Sequence, residues 1–399
     1  MKSVNDTMGH LVGDFLIRSV ANMIGEGRPR ETAFRLGGDE FAVIIDGVTT
    51  ADDLTAAAQD VLHRTSGSVT VGLDTLFPSV TLGGALFGAD GVEANTLRQN
   101  ADFALYHAKE TNRGGYVQFR PELRTSIVDR IRAIRNVDAA LVEGRITAYY
   151  QPIAQLASSE IVGLEALVRM TDPQGAVSPA GDFAAAFSDT KIASRVTERM
   201  LHQVASDIRE WLDLGIPVEY VGINVTTGDF QYGNLQAKIE ACFAKQNVPL
   251  KHIVLEVSES VFMGGSDQFV AKAVKRLRDK GLLVALDDFG TGYASLTHLI
   301  SFPVDIIKID RSFVEALTNG KASSVIVAAI IDMANRLNMR VIAEGIETID
   351  QERQLSELGC QFGQGYLFGK PVSATDIREL LLEQHLRAHT RSGSYPFWL

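Results

Sequence analysis

"LLVALDDFGTGYASL" (residues 282–296) runs an apolar stretch, Leu282–Leu286, straight into two adjacent aspartates and a glycine-rich turn. So continuous an apolar run suits a strand buried on both faces, as in a parallel sheet covered by helices. Two neighbouring carboxylates repel each other unless something neutralises them. The same pattern recurs through the second half of the chain. "AYYQPI", "IVGLEALVR", "VEYVGINV", "HIVLEV", "DIIKID", "RVIAEGIE" and "QFGQGYLF" are short and largely apolar. Between them lie helical patterns such as "SRVTERMLHQVASDIREWL" and "ASSVIVAAIIDMANRLNM". Eight strands alternating with helices over residues 146–385 fit a (β/α)8, TIM-like barrel, so the fold class reads as α/β.

In a parallel barrel all strand C-termini share one face, where active sites form. Glu165, Asn224, Glu256, Asp287, Asp288, Lys308, Glu344, Glu347 and Gln364 read as strand-end residues, outside the apolar runs. Taken singly, each is ordinary. Asp-Asp before a glycine turn is turn or cap chemistry, a lysine at a strand end is a solvated side chain, and Gln364 beside Gly365 belongs to a turn. Their joint placement is what argues for a site. Crowded carboxylates call for cations, and oxygen donors without His or Cys favour Mg²⁺ or Mn²⁺ over zinc. The number of donors suggests two ions sharing one carboxylate. Two ions ~4 Å apart suit in-line displacement at phosphorus.

The formal net charge of −11 argues against a general binder of nucleic-acid polymers or anionic membranes. Cys242 and Cys360 are far apart and form neither a disulfide framework nor a metal pattern. With no run approaching the ~18 apolar residues of a membrane span, the expected location is the cytoplasm. Residues 1–120 read as a smaller α+β domain. Within it, "TAFRLGGDEFAVIIDGV" is a hairpin around Gly37-Gly38, and "EANTLRQNADFALYHAKETN" is a helix. Residues 121–145 read as a connector helix stopped by Gly144, and residues 386–399 as a tail.

"EALVR", "INVTTGDF", "LEVSES", "LDDFGTGYASL", "VDIIKID", "AEGIE" and "GQGYLFGKP" occur in this order between residues 165 and 371. As an ordered set they resemble the EAL-domain phosphodiesterases, which open cyclic di-GMP to linear pGpG. The resemblance implies Glu165, Asn224, Glu256 and Asp287 around one metal ion, and Asp287, Asp288 and Glu344 around a second. It gives Lys308 the orienting or polarising of the attacking water, with Glu344 assisting and Gln364 nearby. Gln151 and Arg169 would contact substrate. Glu347 would stand behind the ligands, and Glu259 would steady the loop after Asp288, which in this family couples metal binding to homodimer formation. Three departures stand out: Met170 replaces an aromatic residue, Thr226 replaces Ser, and "FAAAFSDTKIASR" (residues 183–195) lacks the usual Pro and Glu.

The first half, through "KSVNDTMGHLVGD", "RLGGDEF" and "ADFALYHAKETNRGG", resembles a GGDEF, or diguanylate cyclase, domain. That implies a ferredoxin-like, nucleotidyl-cyclase-like fold. Asn5 and Asp14 would bind guanine, the Gly37-Gly38 turn would admit phosphate, Asp39 and Glu40 would serve metal and catalysis, and Lys109 and Arg113 would bind phosphates. The strand and metal-binding Asp that precede Asn5 in that family are absent from this sequence, so the expected domain lacks its first strand and is not a working cyclase. The inhibitory Arg-x-x-Asp motif stands as "RPRE", Arg28 to Glu31. GTP held there without reaction could still act on the barrel. The alternatives are a cyclic di-GMP receptor that does not cut, or a bifunctional cyclase and phosphodiesterase if the natural chain is longer.

Overall fold

A computed structural model describes residues 4–5, 8–26, 29–71, 74–232, 234–258, 261, 267–290, 304–317 and 321–391. The expected roles of Glu259 and of the loop after Gly290 lie outside these residues. The chain forms two compact units, Met1–Ile131 and Arg132–Leu399.

The first unit contains α1 (His10–Gly25), β1 (Glu31–Gly37), β2 (Glu40–Ile45), α2 (Ala51–Thr65), β3 (Val69–Val71), β4 (Asp74–Leu76), β5 (Leu82–Gly84), α3 (Ala94–Thr111) and β6 (Tyr116–Gln118). The Gly37-Gly38 turn closes the β1–β2 hairpin, with Gly38 in the left-handed region at φ 52°. β3 and β4 form a second hairpin, which the sequence reading passed over, and β5 lies parallel to β6. Among the described residues no strand joins these three pairs into one sheet. The hairpin accordingly leaves Phe34, Leu36 and Ile44 exposed. Helix α4 (Pro121–Val142) contains the division between the units.

The second unit contains β7 (Ile146–Gln155), β8 (Ile161–Thr171), β9 (Val177–Pro179), α5 (Thr190–Asp213), β10 (Val221–Val225), α6 (Thr227–Tyr232), α7 (Leu235–Lys245), β11 (Ile253–Ser258), α8 (Asp267–Arg278), β12 (Leu283–Phe289), β13 (Ile306–Ile309), α9 (Arg311–Ala316), α10 (Lys321–Arg336), β14 (Arg340–Ala343), α11 (Ile349–Glu357), β15 (Phe362–Gln364), β16 (Val372–Ser373) and α12 (Ala374–Arg391). Strands β8, β10, β11, β12, β13, β14 and β15 run parallel in that spatial order. β7 closes the barrel between β15 and β8, antiparallel to both.

This antiparallel strand corrects the expectation of an all-parallel barrel. Only residues 156–160 separate β7 from β8, too few for the crossover a parallel pair requires. The spacing was visible in the sequence.

A second correction concerns the strand ends. Glu165, Glu256 and Lys308 lie within their strands, and they face the barrel interior. Side chains alternate along a strand with period two. Ile153, Tyr220, Val254, Ala285, Ile306 and Ile342 form a buried apolar plug, with Phe362 packed against it. Two residues from each plug position, on the mouth side, stand Gln151, Gly222, Glu256, Asp287, Lys308, Glu344 and Gln364. The apolar plug thus lies beneath a polar layer.

Candidate active site

Lys308 occupies the centre of that layer with its side chain 1% exposed. Its Nζ lies 3.3 Å from Glu165, 2.7 Å from Glu256, 3.2 Å from Asp287 and 2.6 Å from Glu344. A lone lysine could not be buried at this depth; these four carboxylates are what hold its charge there. Burial works to lower its pKa, but Glu165, Glu256, Glu344 and Asp287 outweigh it and raise it well above the usual lysine range.

The carboxyls separate into two kinds. Burial would raise Glu165, but Lys308, Gln364 and Asn224 together hold it below its ordinary range. Burial dominates at Glu256 and, reinforced by the charge of Glu165, pushes it well up. Burial likewise pushes Glu344 up to about 8. Among the described residues Lys308 is the one cation touching these four carboxyls, so the layer remains short of positive charge.

Asp287 and Asp288 reach the same place by a backbone irregularity. Adjacent strand residues ordinarily point to opposite faces. The β12–β13 register runs Leu286 to Ile307 and then Phe289 to Ile309, so two residues face the single Lys308. This is a β-bulge, which re-aims side chains near active sites. Asp288 completes it in the left-handed region at φ 54°, a conformation Asp tolerates better than most residues. Oxygens of Asp287, Asp288 and Glu344 consequently lie within 4.8 Å of one another. Burial, then the charges of Asp287 and Asp310, raise Asp288.

The amides complete the wall. Asn224 Nδ2 donates to Glu165 Oε1 at 2.7 Å. Gln364 Nε2 donates to Glu165 Oε2 at 2.6 Å and to Gln151 Oε1 at 3.2 Å. Gln151 in turn donates to Gly369 O at 3.2 Å. Gln364 Oε1 is buried and receives no hydrogen bond, and neither does Asp287 Oδ1 despite its nearness to Lys308. Gly222 makes room for the layer, since a Cβ there would lie 2.0 Å from Glu256 Oε1.

These features fit divalent cations: the donors are all oxygen, the layer is short of positive charge, and Gln364 Oε1 is buried without a hydrogen-bond donor among the described residues. Asp287, Asp288 and Glu344 form one carboxylate triad; Glu165 and Glu256 contact Lys308 from their own strands, and Asn224 bonds to Glu165. Arg169 stacks over Tyr149 at 5.7 Å and donates to Val168 O. Glu347 is exposed and turned toward Arg311 at 3.3 Å, with no direct bond to the carboxylate layer among its described contacts. The sequence reading missed Gly222, which carries no functional group, and Asp310. The latter looks like an ordinary helix cap, and it does cap α9 through Ser312 N at 3.0 Å while its charge acts on Asp288.

In the first unit the expected nucleotide residues gather less closely. Lys109 Nζ lies 3.9 Å from Glu40, and Asp14, Asp39 and Arg113 are exposed. No third carboxylate joins Asp39 and Glu40 among the described residues. Glu31 is held by Arg64 at 2.6 Å, its side chain 4% exposed. It is therefore committed to an internal ion pair.

Comparison with known proteins follows the same division. Residues 134–371 match the EAL domain model, and residues 1–115 match that of the diguanylate cyclase GGDEF domain. The bifunctional diguanylate cyclase/cyclic di-GMP phosphodiesterase MucR of Pseudomonas aeruginosa is 32% identical over 94% of this chain and 55% of its own length. The cyclic di-GMP phosphodiesterase PdeR of Escherichia coli is 32% identical over 94% of this chain and 56% of its own. The chain spans about half the length of the curated relatives it matches. The solved MucR phosphodiesterase from P. aeruginosa in complex with c-di-GMP covers 62% of this chain and 99% of that one, with 30% identity and a TM-score of 0.59. Klebsiella pneumoniae BlrP1 with manganese and cy-diGMP covers 57% and 56%, with 28% identity and a TM-score of 0.50. Among the described residues no helix is long and apolar enough to cross a membrane.

Proposed function

Since this chain belongs to the EAL-domain family, with a GGDEF domain in tandem before its barrel, we propose that it is a cytoplasmic, metal-dependent phosphodiesterase that hydrolyses cyclic di-GMP to pGpG. The observation that carries this reading is the oxygen-only layer around Lys308, with Asp287, Asp288 and Glu344 drawn together by the bulge. Glu165, Asn224, Glu256 and Asp287 would hold one Mg²⁺ or Mn²⁺, and Asp287, Asp288 and Glu344 a second. Bound there, the ions would supply Lewis acidity at the phosphoryl oxygens and activation of water. The protein's own groups orient the reactants. Gln364 Oε1, buried without a donor, would accept a hydrogen bond from the attacking water. Lys308 would hold that water by donating to it. Arg169 at the rim would meet a phosphate, and Gln151 would contact the nucleotide. Water bonds to phosphorus, the ester P–O bond to the ribose 3′ oxygen breaks, and that oxygen takes up a proton.

The GGDEF-like half is a regulatory module in this reading, binding GTP without converting it. The engagement of Glu40 by Lys109 supports this. A homodimer belongs to the same reading through the likeness of the loop after Asp288, and sedimentation velocity would check it. The functional test is chromatographic separation of products after incubating the purified chain with cyclic di-GMP and Mn²⁺ or Mg²⁺, with and without GTP. The expected result is pGpG, abolished by chelator, at a rate altered by GTP. Intact cyclic di-GMP under every condition, with binding retained, would replace this reading with a receptor. Cyclic di-GMP formed from GTP would make the chain bifunctional, and an unchanged rate with GTP would refute the regulatory role.

A further inference from the structure

Outside the polar layer, Asp229 is the most deeply buried carboxylate among the described residues, 1% exposed. No cation pairs with it there. Three donors converge on its Oδ2: Thr226 N at 2.8 Å, Thr226 Oγ1 at 2.9 Å and Thr197 Oγ1 at 3.0 Å. Two of these make it a helix cap, because a carboxylate at the third helical position commonly bonds back to the N–H preceding the helix. A cap needs no burial, however, and burying a carboxylate costs free energy unless it is well bonded. The third donor shows what the burial accomplishes. Thr197 belongs to α5, so Asp229 ties the start of α6 to the neighbouring helix. Thr226, the residue so fixed, stands two positions after Asn224.

Asn224 is exposed at the end of β10, and its amide nitrogen is engaged by Glu165. Its carbonyl oxygen is the atom offered to a cation. Val225 and Phe230, both buried, fix the depth of this segment, while hydrogen bonds fix its direction. We infer that Asp229 is a positioning residue for Asn224, holding that carbonyl at the metal site. The inference rests on the metal reading proposed above.

The test is Mn²⁺ titration calorimetry on the metal-free chain, beside melting curves and turnover. Asp229→Ala should weaken Mn²⁺ binding about tenfold or more, the scale on which groups that orient metal ligands act. Thr197→Val removes one donor at nearly constant volume and should weaken binding less. Asp229→Asn keeps an acceptor oxygen for the three donors and should bind close to wild type. Ser373→Ala removes a comparable cap, at α12, and should lower the melting temperature without changing affinity. Wild-type affinity in folded Asp229→Ala overturns the inference, as does Asp229→Asn behaving like Asp229→Ala. If Asp229→Ala does not fold, Thr197→Val decides by the same criterion. A wild-type chain that takes up no Mn²⁺ refutes the metal reading, and this inference falls with it.

Discussion

Replacing Lys308 by Met keeps the buried volume and deletes the charge at the centre of the polar layer. Four carboxyl oxygens between 2.6 and 3.3 Å from Nζ lose their shared cation. The losses do not sum pair by pair, because Glu256 and Glu344 are pushed up by burial and take protons when the cation is gone. The appropriate scale is that of a single broken buried pair, about 3–5 kcal/mol. At roughly 2 °C per kcal/mol for a unit of this size, the metal-free variant should melt about 6–10 °C below wild type. Mn²⁺ should narrow the gap by restoring positive charge. Calorimetric melts in chelator and in excess Mn²⁺ at neutral pH measure both quantities. A metal-free variant melting with wild type would show that protons shared among the carboxyls, and not Lys308, neutralise the layer. Turnover should fall in the variant while Mn²⁺ still binds, and loss of binding would contradict the water-holding role.

Glu344 sets a pH dependence in the metal-free chain. Its folded pKa of about 8 exceeds its ordinary value of 4.5, so its contribution to stability is complete below 4.5 and is lost as pH rises through 8. Metal-free protein should therefore melt lower at pH 9 than at pH 7, and an unchanged melt would refute the assignment. Gly222→Ala would put a methyl group 2.0 Å from Glu256 Oε1; Mn²⁺ affinity should drop more than tenfold with the circular dichroism spectrum kept, and normal affinity would show the layer to be plastic. Asp288→Asn should bind Mn²⁺ more weakly yet melt no lower than wild type, because Asn tolerates φ 54° and relieves repulsion from Asp287 and Asp310. Asp288→Val should in addition lose stability, because a β-branched residue is strained at that φ.

The apolar runs made the barrel legible because both faces of its strands are buried. Its first strand was misread because apolar periodicity carries no direction; only the short gap at residues 156–160 holds that information. The carboxylates are legible as a set, yet pattern alone places them at strand ends, whereas Glu165, Glu256 and Lys308 lie inside strands. Burial explains the error. Polar residues are rare in barrel interiors, so each looks like a terminus, whereas here they satisfy one another around one ammonium. In the first unit the motifs were readable, but the pairing of Glu31 with Arg64, a residue 33 positions away, was not. Local pattern does not encode such a partner.

The adjacent aspartates gather these strands of reasoning. Alternation along β12 would send one of them out toward the surrounding helices. Both reach the mouth because the chain places a bulge where two residues oppose Lys308, and because the second aspartate accepts a left-handed backbone. Such strain persists only where the surroundings impose it. The register on both sides, Leu286 with Ile307 and Phe289 with Ile309, supplies that constraint. The carboxylate pair is thus set by the backbone before any cation arrives, so metal-free protein already carries the repulsion that a metal relieves. A site built this way should gain stability on loading as well as activity, which is why melting in the presence and absence of Mn²⁺ bears directly on the chemistry proposed for it.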